Sequence, residues 1–374
     1  MSKDVLKPEK LSGLKTYLVI LAAAGVVTFG IGVLADPEHT WKIFLVNFLF
    51  WSGISVAGPI FSAIFELTNA RWASRKLREI AESFAGFLPL SLCFYFVMMW
   101  GGSTYLYSWI VDLPTTRAGW FSLNFFVIRD GMAWIILIVV IGKFILASRQ
   151  FRARPLPNSG HLTALSISTI LVYVFVLSLL AIDLIMSIDP HWLSTLFPAY
   201  FFMGNLYAGL SMIVILSGLS CYPTGAKAWF TTSIAHDLGK LMLGFCLLWV
   251  YLMWSQFLVI WYGNLPEELS FVLERTDEHW SSLAWLELSL CFIIPFVFLL
   301  TRHMKKPKLL PFVAIAALLG MSLERFLLVM PFHKSPPKFV LMDLGISVGF
   351  LALFLLSQDY CNTWLDKRDA RSSS

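Results

Sequence analysis

The sequence predicts an all-α polytopic membrane protein. Of its 374 residues, 58% are hydrophobic and only 14% are charged, whereas an ordinary soluble domain carries about 25% charged residues. The chain also contains about ten apolar runs that reach the roughly 20 residues a helix needs to cross the hydrocarbon core. Continuous apolar runs do not fit a transmembrane β-barrel, whose strands alternate lipid-facing and lumen-facing residues.

The apolar runs leave little sequence for a soluble domain, so residues 1–374 are expected to form a single integral membrane domain. No small-residue processing site follows the first run, which favours a retained anchor over a cleaved signal peptide. The predicted transmembrane helices are 14–35, 42–66, 80–101, 130–148, 161–187, 193–219, 232–262, 280–302, 309–331 and 339–358.

Two longer connections, 102–129 and 263–279, are predicted to be surface loops or interfacial helices. Tryptophan is enriched where a membrane meets water. Trp109, Trp120 and Trp280 are therefore expected to lie in an aromatic belt.

Basic residues are concentrated in alternate connections, which predicts the orientation because Lys and Arg favour the cytoplasmic side. Both termini are expected in the cytoplasm, and the acidic connection 267–278 is expected outside. The ninth connection is the exception, since Lys334 and Lys338 fall on the outer side. The cytoplasmic set comprises Lys3, Lys7, Lys10, Arg71, Arg75, Lys76, Arg78, Lys143, Arg149, Arg152, Arg154, Arg302, Lys305, Lys306, Lys308, Lys367, Arg368 and Arg371.

A weak internal repeat relates the two halves of the chain. The third predicted span aligns with the seventh without a gap, through an Ile-Ala pair at the start and a Met-Trp pair near the end. A slightly larger offset aligns Gly53 with Gly209 and Ser55 with Ser211. Equal spacing of similar segments indicates duplication.

The repeat predicts two four-helix units, 42–187 and 193–331, with the first and last helices outside them. Because each unit has an even number of spans, the two copies are expected to be parallel in the membrane, unlike inverted-repeat transporters. Polar groups near the helix ends, rather than at the midplane, also disfavour a secondary transporter.

Ionisable side chains form two predicted layers, one toward each membrane face. Charges inside membrane-length helices are costly, and they are retained where they pair, line a wet cavity or move protons. The layers are therefore hypothetical proton half-channels separated by an apolar middle. The candidates are Glu82, His236, Asp237 and Lys240 on the cytoplasmic side and Asp130, Asp183, Glu287, Glu324, Arg325 and Asp343 on the outer side.

His236, Asp237 and Lys240 open the seventh predicted span. On a helix, Lys240 shares a face with His236 at i,i+4 and reaches Asp237 at i,i+3, which allows an ion pair beside a histidine that titrates near neutral pH. Alternatively, these groups lie at the headgroup level, with Lys240 snorkelling. The same alternative applies to Glu82.

Other polar groups are expected to need partners on neighbouring helices. Asp183 lies away from its helix end, and the adjacent Glu324 and Arg325 are expected to pair poorly with each other. The segment Asp189-Pro190-His191-Trp192 is predicted to be a tight turn with Trp192 in the aromatic belt.

The sequence contains no motif for a metal or haem bound by this chain. Five cysteines occur without C-x-x-C spacing or a C-x-x-C-H haem attachment. No H-E-x-x-H or G-x-S-x-G pattern indicates a zinc enzyme or a hydrolase. The net charge of +5 is explained by membrane topology, so nucleic-acid binding is not expected.

One stretch does resemble a known family. The run from His236 to Met242, continuing through Ser255-Gln256-Phe257-Leu258 to Ile260–Glu268, resembles the second polysulfide-reductase-like membrane subunit of bacterial alternative complex III. The resemblance extends to the turn at 189–192 and to a ten-span plan over essentially the whole chain.

The resemblance implies a bacterial inner-membrane subunit of a respiratory complex that oxidises quinol. Iron–sulfur and multihaem c subunits would hold the electron-transfer cofactors and would pass electrons to a cytochrome or a terminal oxidase. A paralogous membrane subunit would hold the better supported quinol site. The subunit resembled here is linked to quinone binding and to proton movement, and it is not expected to be catalytic alone.

Two alternatives remain open at this point. One is a quinone site in this chain, on the outer side near Asp130, Asp183 and Trp192. The other is a structural scaffold that docks the complex to its terminal oxidase, with charges serving pairs and interfaces.

Overall fold

The computed structural model describes residues 8–110, 119–153, 160–189, 192–221, 229–263, 266–331 and 337–373. These ranges contain helices and no strand, which confirms the predicted all-α class. Ten of the described helices are long and apolar enough to cross a membrane, as predicted. We call them α1 (Gly13–Ala35), α2 (Pro37–Leu67), α3 (Arg75–Gly101), α4 (Leu123–Ala153), α5 (Gly160–Ile188), α6 (Phe197–Ser220), α7 (Thr232–Gly263), α8 (Ser281–Leu300), α9 (Leu310–Val329) and α10 (Leu341–Ala370).

Three of these helices contain a proline away from their ends. In α3, a 3₁₀ turn at Phe84–Phe87 precedes Pro89, and in α8 a π-helical turn at Ser289–Ile293 precedes Pro295. Pro59 lies inside α2. Proline lacks a backbone N–H and displaces the preceding turn, so local changes of helical pitch are expected beside it.

Helix α2 lies at the centre of the bundle, and its most apolar segment is entirely buried within the protein. It packs against α5, α6 and α9, whereas most of α1, α7 and α8 faces outward. Small residues allow the closest approach, since Gly209 of α6 lies against Ala57 and Gly53 of α2 lies against Asn205. Gly53 and Gly209, which the predicted repeat aligns, thus both fall in the α2–α6 contact.

The α2–α6 contact predicts a sharp difference between two glycines. A methyl group added at Gly209 would overlap the Cβ atom of Ala57, whereas nothing lies within 4 Å of the corresponding position at Gly244. We expect Gly209→Ala to lower the free energy of unfolding by about 1–3 kcal/mol through overpacking, and Gly244→Ala to be neutral or stabilising. Unfolding of the two purified variants in detergent micelles by sodium dodecyl sulfate measures this. Equal losses would contradict the close contact.

Polar contacts divide the described helix ends into two faces. One face, which we call the basic face, includes the Lys15–Asp359 pair at 2.7 Å and the Arg78–Glu66 pair. At the opposite face, His39 at the start of α2 lies 2.9 Å from Asp343 at the start of α10. Lys334 lies outside the described residues.

The aromatic belt predicted for three tryptophans is wrong for two of them. Trp109 and Trp280 are only 1% and 2% exposed, because short helices and turns in the two longer connections fold onto the bundle. These connections include Ser108–Ile110 and Pro266–Thr276. Trp120 is exposed, but its indole N–H donates to Asp183.

Candidate functional site

The basic face holds a cluster of charges around Glu82, whose side chain is completely buried. The carboxylate lies 2.6 Å from Arg152 and 3.4 Å from Arg149 of α4. It also accepts hydrogen bonds from the hydroxyls of Ser62 at 2.9 Å and Ser148 at 3.2 Å. Two guanidinium groups and two hydroxyls therefore hold a carboxylate at the junction of α2, α3 and α4.

Arg149 also connects this cluster to the last helix. Its guanidinium lies 3.3 Å from Asp366 and 3.2 Å from Asp369 in the C-terminal helix, which is α10 together with the helical residues that follow it to Ser373. The acids of that helix thus complete the charge balance of two arginines that share one buried glutamate.

A second cluster lies at the opposite face, where α4 begins and α5 ends. Arg129 contacts Asp183 at 2.6 Å and Asp130 at 3.5 Å, and both acids are fully buried. The indole of Trp120 donates to Asp183 at 3.0 Å, and the Arg129 guanidinium stacks 4.0 Å from its ring. One oxygen of Asp130 and one nitrogen of Arg129 are buried without a partner among the described residues. Such atoms are typical places for bound water.

A third cluster lies near the end of α9. Glu324 and Arg325 of α9 form an ion pair with each other and are each 1% exposed. Trp249 donates to Glu324 at 3.0 Å, and Arg325 donates to Asn205 at 2.9 Å. The expectation of a poor adjacent pair is wrong, because burial between α6, α7 and α9 holds both side chains together. The expected partners on other helices are present.

A partly open cavity of about 180 Å³ lies beside the third cluster. Its lining is apolar apart from six polar side chains, which are Tyr200, Gln256, Arg275, Thr276, Glu287 and Glu324. Glu287 and Glu324 therefore face one cavity, so both halves of the chain bring two acids, an arginine and an indole together at this face.

The short helix Pro266–Thr276 forms one wall of this cavity. Arg275 anchors it by donating to the carbonyls of Leu327 and Leu328 at the end of α9, each at 2.9 Å. Burial lowers the pKa of Arg275 to about 9, which leaves it charged at neutral pH. Trp192 stacks on Phe271 of the same helix at 3.6 Å.

Trp192 is 1% exposed, so its predicted place in the aromatic belt is wrong. Its amide donates to the carbonyl of Asp189, at the start of the segment predicted to be a tight turn. Pro190 and His191 lie outside the described residues. The structure therefore connects Trp192 to the cavity of the second half rather than to Asp130 and Asp183.

The charges at the start of α7 are the most accessible of the candidates. Lys240 forms the predicted pair with Asp237 at 3.2 Å, with side chains that are 58% and 29% exposed. His236 is half-buried. None of these three residues contacts Glu82, so the basic-face candidates form two separate groups.

A few buried hydroxyls lie in the middle of α2 and α6. Ser52 and Ser55 are buried near the middle of α2, and Ser211 is buried near the middle of α6. Further along α2, Ser62 donates to Glu82. Ser55 and Ser211 each donate to a carbonyl one turn earlier in the same helix, so these hydroxyls are satisfied without a polar partner on another helix.

Sequence reasoning missed several of these groups. Arg149 and Arg152 were attributed to topology alone, and Asn205 was not singled out, although its uncharged amide lies within an apolar span. The aligned serines Ser55 and Ser211 offered a signal, since both are polar positions within apolar runs and both are buried in the structure.

The described residues contain no group of three or more His, Cys, Asp or Glu side chains positioned to hold a metal ion. Comparison with models of known protein families gave no match, and comparison with curated proteins gave none either.

Proposed function

We propose that this chain is the second polysulfide-reductase-like membrane subunit of a bacterial alternative complex III. The resemblance of residues 236–268 supports the assignment, and a chain with ten membrane-length helices is compatible with it. In this proposal the chain lies in the inner membrane with its basic face in the cytoplasm. Partner subunits hold the iron–sulfur clusters and c-type haems, and a paralogous membrane subunit holds a quinol site.

Co-purification tests this assignment. An affinity-tagged chain, extracted from its native membrane in mild detergent, is expected to bring c-type haem, seen in the reduced absorption spectrum, together with quinol oxidation activity. A chain that purifies intact with neither haem nor activity would contradict it.

The role proposed for this subunit is proton movement that accompanies quinol oxidation. The observation that carries it is the presence of buried carboxylates near both faces, Glu82 at one and Asp130, Asp183 and Glu324 at the other. Buried acids at membrane depth are costly and commonly serve as proton relays.

Buried hydroxyls along α2 extend from Glu82 part of the way toward the opposite face. Ser55 and Ser62 are two helical turns apart and therefore share one side of α2, with Ser62 bonded to Glu82. At a rise of about 1.5 Å per residue they span roughly 10 Å of the membrane. Ser62 donates to Glu82 and Ser55 donates to the carbonyl of Trp51, so proton transfer between them requires water molecules in the gap and rotation of both hydroxyl groups.

A second candidate function is quinone binding in the cavity beside Glu287. An apolar cavity of about 150 Å³ accommodates a benzene ring, so the observed 180 Å³ suits a quinone ring. Tyr200, Gln256 and Glu287 supply polar groups for the ring oxygens. Phe257 borders the cavity and is 37% exposed on the outer surface of the bundle, where a lipid tail would lie.

Quinone binding is testable by fluorescence quenching with ubiquinone-1 and menadione. If a protonated Glu287 carboxyl donates to a ring oxygen, Glu287→Leu removes the donor and is expected to weaken binding about two- to tenfold, because an ordinary hydrogen bond contributes about 0.5–1.5 kcal/mol. Glu278→Leu, an exposed position outside the cavity, is the matched control. Equal binding by both variants, or no saturable quenching, would exclude this site.

A further inference from the structure

A second cavity, of about 550 Å³, lies at the basic face between the start of α7 and the connection 301–309. We call it the basic cavity. It is separate from the cluster around Glu82 and from the cavity beside Glu287. Its main lining residues are Ser233, His236, Arg302, His303, Lys305 and Lys306.

Lys305 is the most unusual of these side chains because it is only 7% exposed. Its aliphatic stem packs on α7 at Gly239, where an added Cβ atom would lie 2.7 Å from the Lys305 Cγ atom. Among the described residues, no carboxylate lies within 4 Å of its ammonium group. Burial and the nearby Lys240 lower its pKa. The aliphatic stem of Lys305 is thus buried, while its charged end borders the basic cavity, as is usual for a lysine side chain that snorkels.

The surroundings increase the positive potential rather than balance it. Arg302 and Lys306 add two further cations from the same connection. Asp237, the acid closest in sequence to the cavity lining, is paired with Lys240. Ser233 lies in the first turn of α7, where the helix dipole is positive. The cavity therefore favours an anion.

Exposed apolar side chains at the end of α8, shortly before Arg302 in the sequence, indicate which kind of anion fits. The last turn of α8 carries three exposed apolar side chains shortly before Arg302. They are Val297, Phe298 and Leu300, which are 53%, 43% and 58% exposed. In a membrane these side chains face acyl chains, directly below the cationic connection. A molecule with a phosphate head and apolar tails would contact both surfaces at once, whereas free phosphate would use only the first.

We propose that the basic cavity binds the phosphate headgroup of an anionic phospholipid, with its acyl chains lying along α8. Basic pockets between transmembrane helices on the cytoplasmic side commonly bind such headgroups. In this arrangement the phosphate supplies the counter-charge of Lys305, and the lipid joins the end of α8 to the start of α7.

Native mass spectrometry of the full-length chain in detergent micelles tests the proposal. The delipidated protein is titrated with phosphatidylglycerol, with phosphatidylcholine and with inorganic phosphate. We expect the unaltered chain to retain phosphatidylglycerol in preference to phosphatidylcholine. Arg302→Gln and Lys305→Gln should each weaken the binding of phosphatidylglycerol about fivefold, since each cation near an anionic lipid contributes about that factor. Lys305→Arg keeps the charge and should keep the preference.

Lys308→Gln is the matched control, since Lys308 is exposed on the same connection but does not line the cavity. Arg302 is also exposed, so Arg302→Gln gives a decisive result even if Lys305→Gln fails to fold. Equal retention of the two lipids by the unaltered chain would overturn the proposal. So would an equal loss in Lys308→Gln, or displacement of the lipid by inorganic phosphate, which would indicate a free-phosphate site.

Discussion

Replacing Arg325 with leucine is expected to lower the free energy of unfolding by about 3–5 kcal/mol, the usual effect of removing one partner of a buried ion pair. Arg325 balances Glu324, donates to Asn205 and stacks 4.5 Å from the ring of Phe201. Its loss leaves the Glu324 carboxylate, 1% exposed, with a buried charge and no arginine to balance it.

The measurement is equilibrium unfolding of the purified chain in detergent micelles by sodium dodecyl sulfate. Arg75→Leu is the control, because the Arg75–Glu79 pair is largely exposed and such pairs contribute at most about 1 kcal/mol. The double substitution Glu324→Gln with Arg325→Met removes both charges and should recover much of the stability. If Arg325→Leu lowers the free energy of unfolding no more than Arg75→Leu does, Glu324 and Arg325 do not form a buried ion pair.

At the basic face, replacing Glu82 with leucine is expected to lower the free energy of unfolding by a similar amount. The substitution leaves Arg149 and Arg152, with side chains 4% and 16% exposed, without their shared carboxylate. The expected loss is about 3–5 kcal/mol. Because Arg149 also binds Asp366, the contact between α4 and the C-terminal helix should loosen as well.

Limited proteolysis of the C-terminal helix and detergent unfolding together measure this effect. Glu79→Leu is a close control, since Glu79 lies one turn earlier on the same helix and its carboxylate lies 2.7 Å from exposed Arg75. If both substitutions have the same small effect, Glu82 is not the buried centre of the cluster.

The sequence was sufficient to predict the all-α class and ten spans, because long apolar runs leave few alternatives in a membrane. Helix ends were predicted less well, as α4 begins at Leu123 rather than near 130 and α10 extends beyond 358 to Ala370. These extensions carry polar residues, which a search for apolar runs omits. The division of the chain into two related four-helix units remains a prediction.

The candidate sites were predicted in part. The charge layers were identified because an ionisable residue inside an apolar run is conspicuous, and Asp130, Asp183 and Glu324 are indeed buried. Their partners were harder to predict, since contacts such as Arg149 with Asp366 join residues far apart in the chain. Serines at the middle of α2 give only a weak signal, because isolated hydroxyls are common in membrane helices.

Proton release per electron is the most direct test of the proposed role. The tagged complex, reconstituted in vesicles, is given a quinol and an electron acceptor, and acidification is measured together with electron transfer. For Asp183→Asn we predict continued electron transfer with proton release reduced to what quinol oxidation itself supplies. Glu38→Gln, an exposed position at the same face, should retain the full ratio. An unchanged ratio in Asp183→Asn at full electron transfer would contradict proton movement through this subunit.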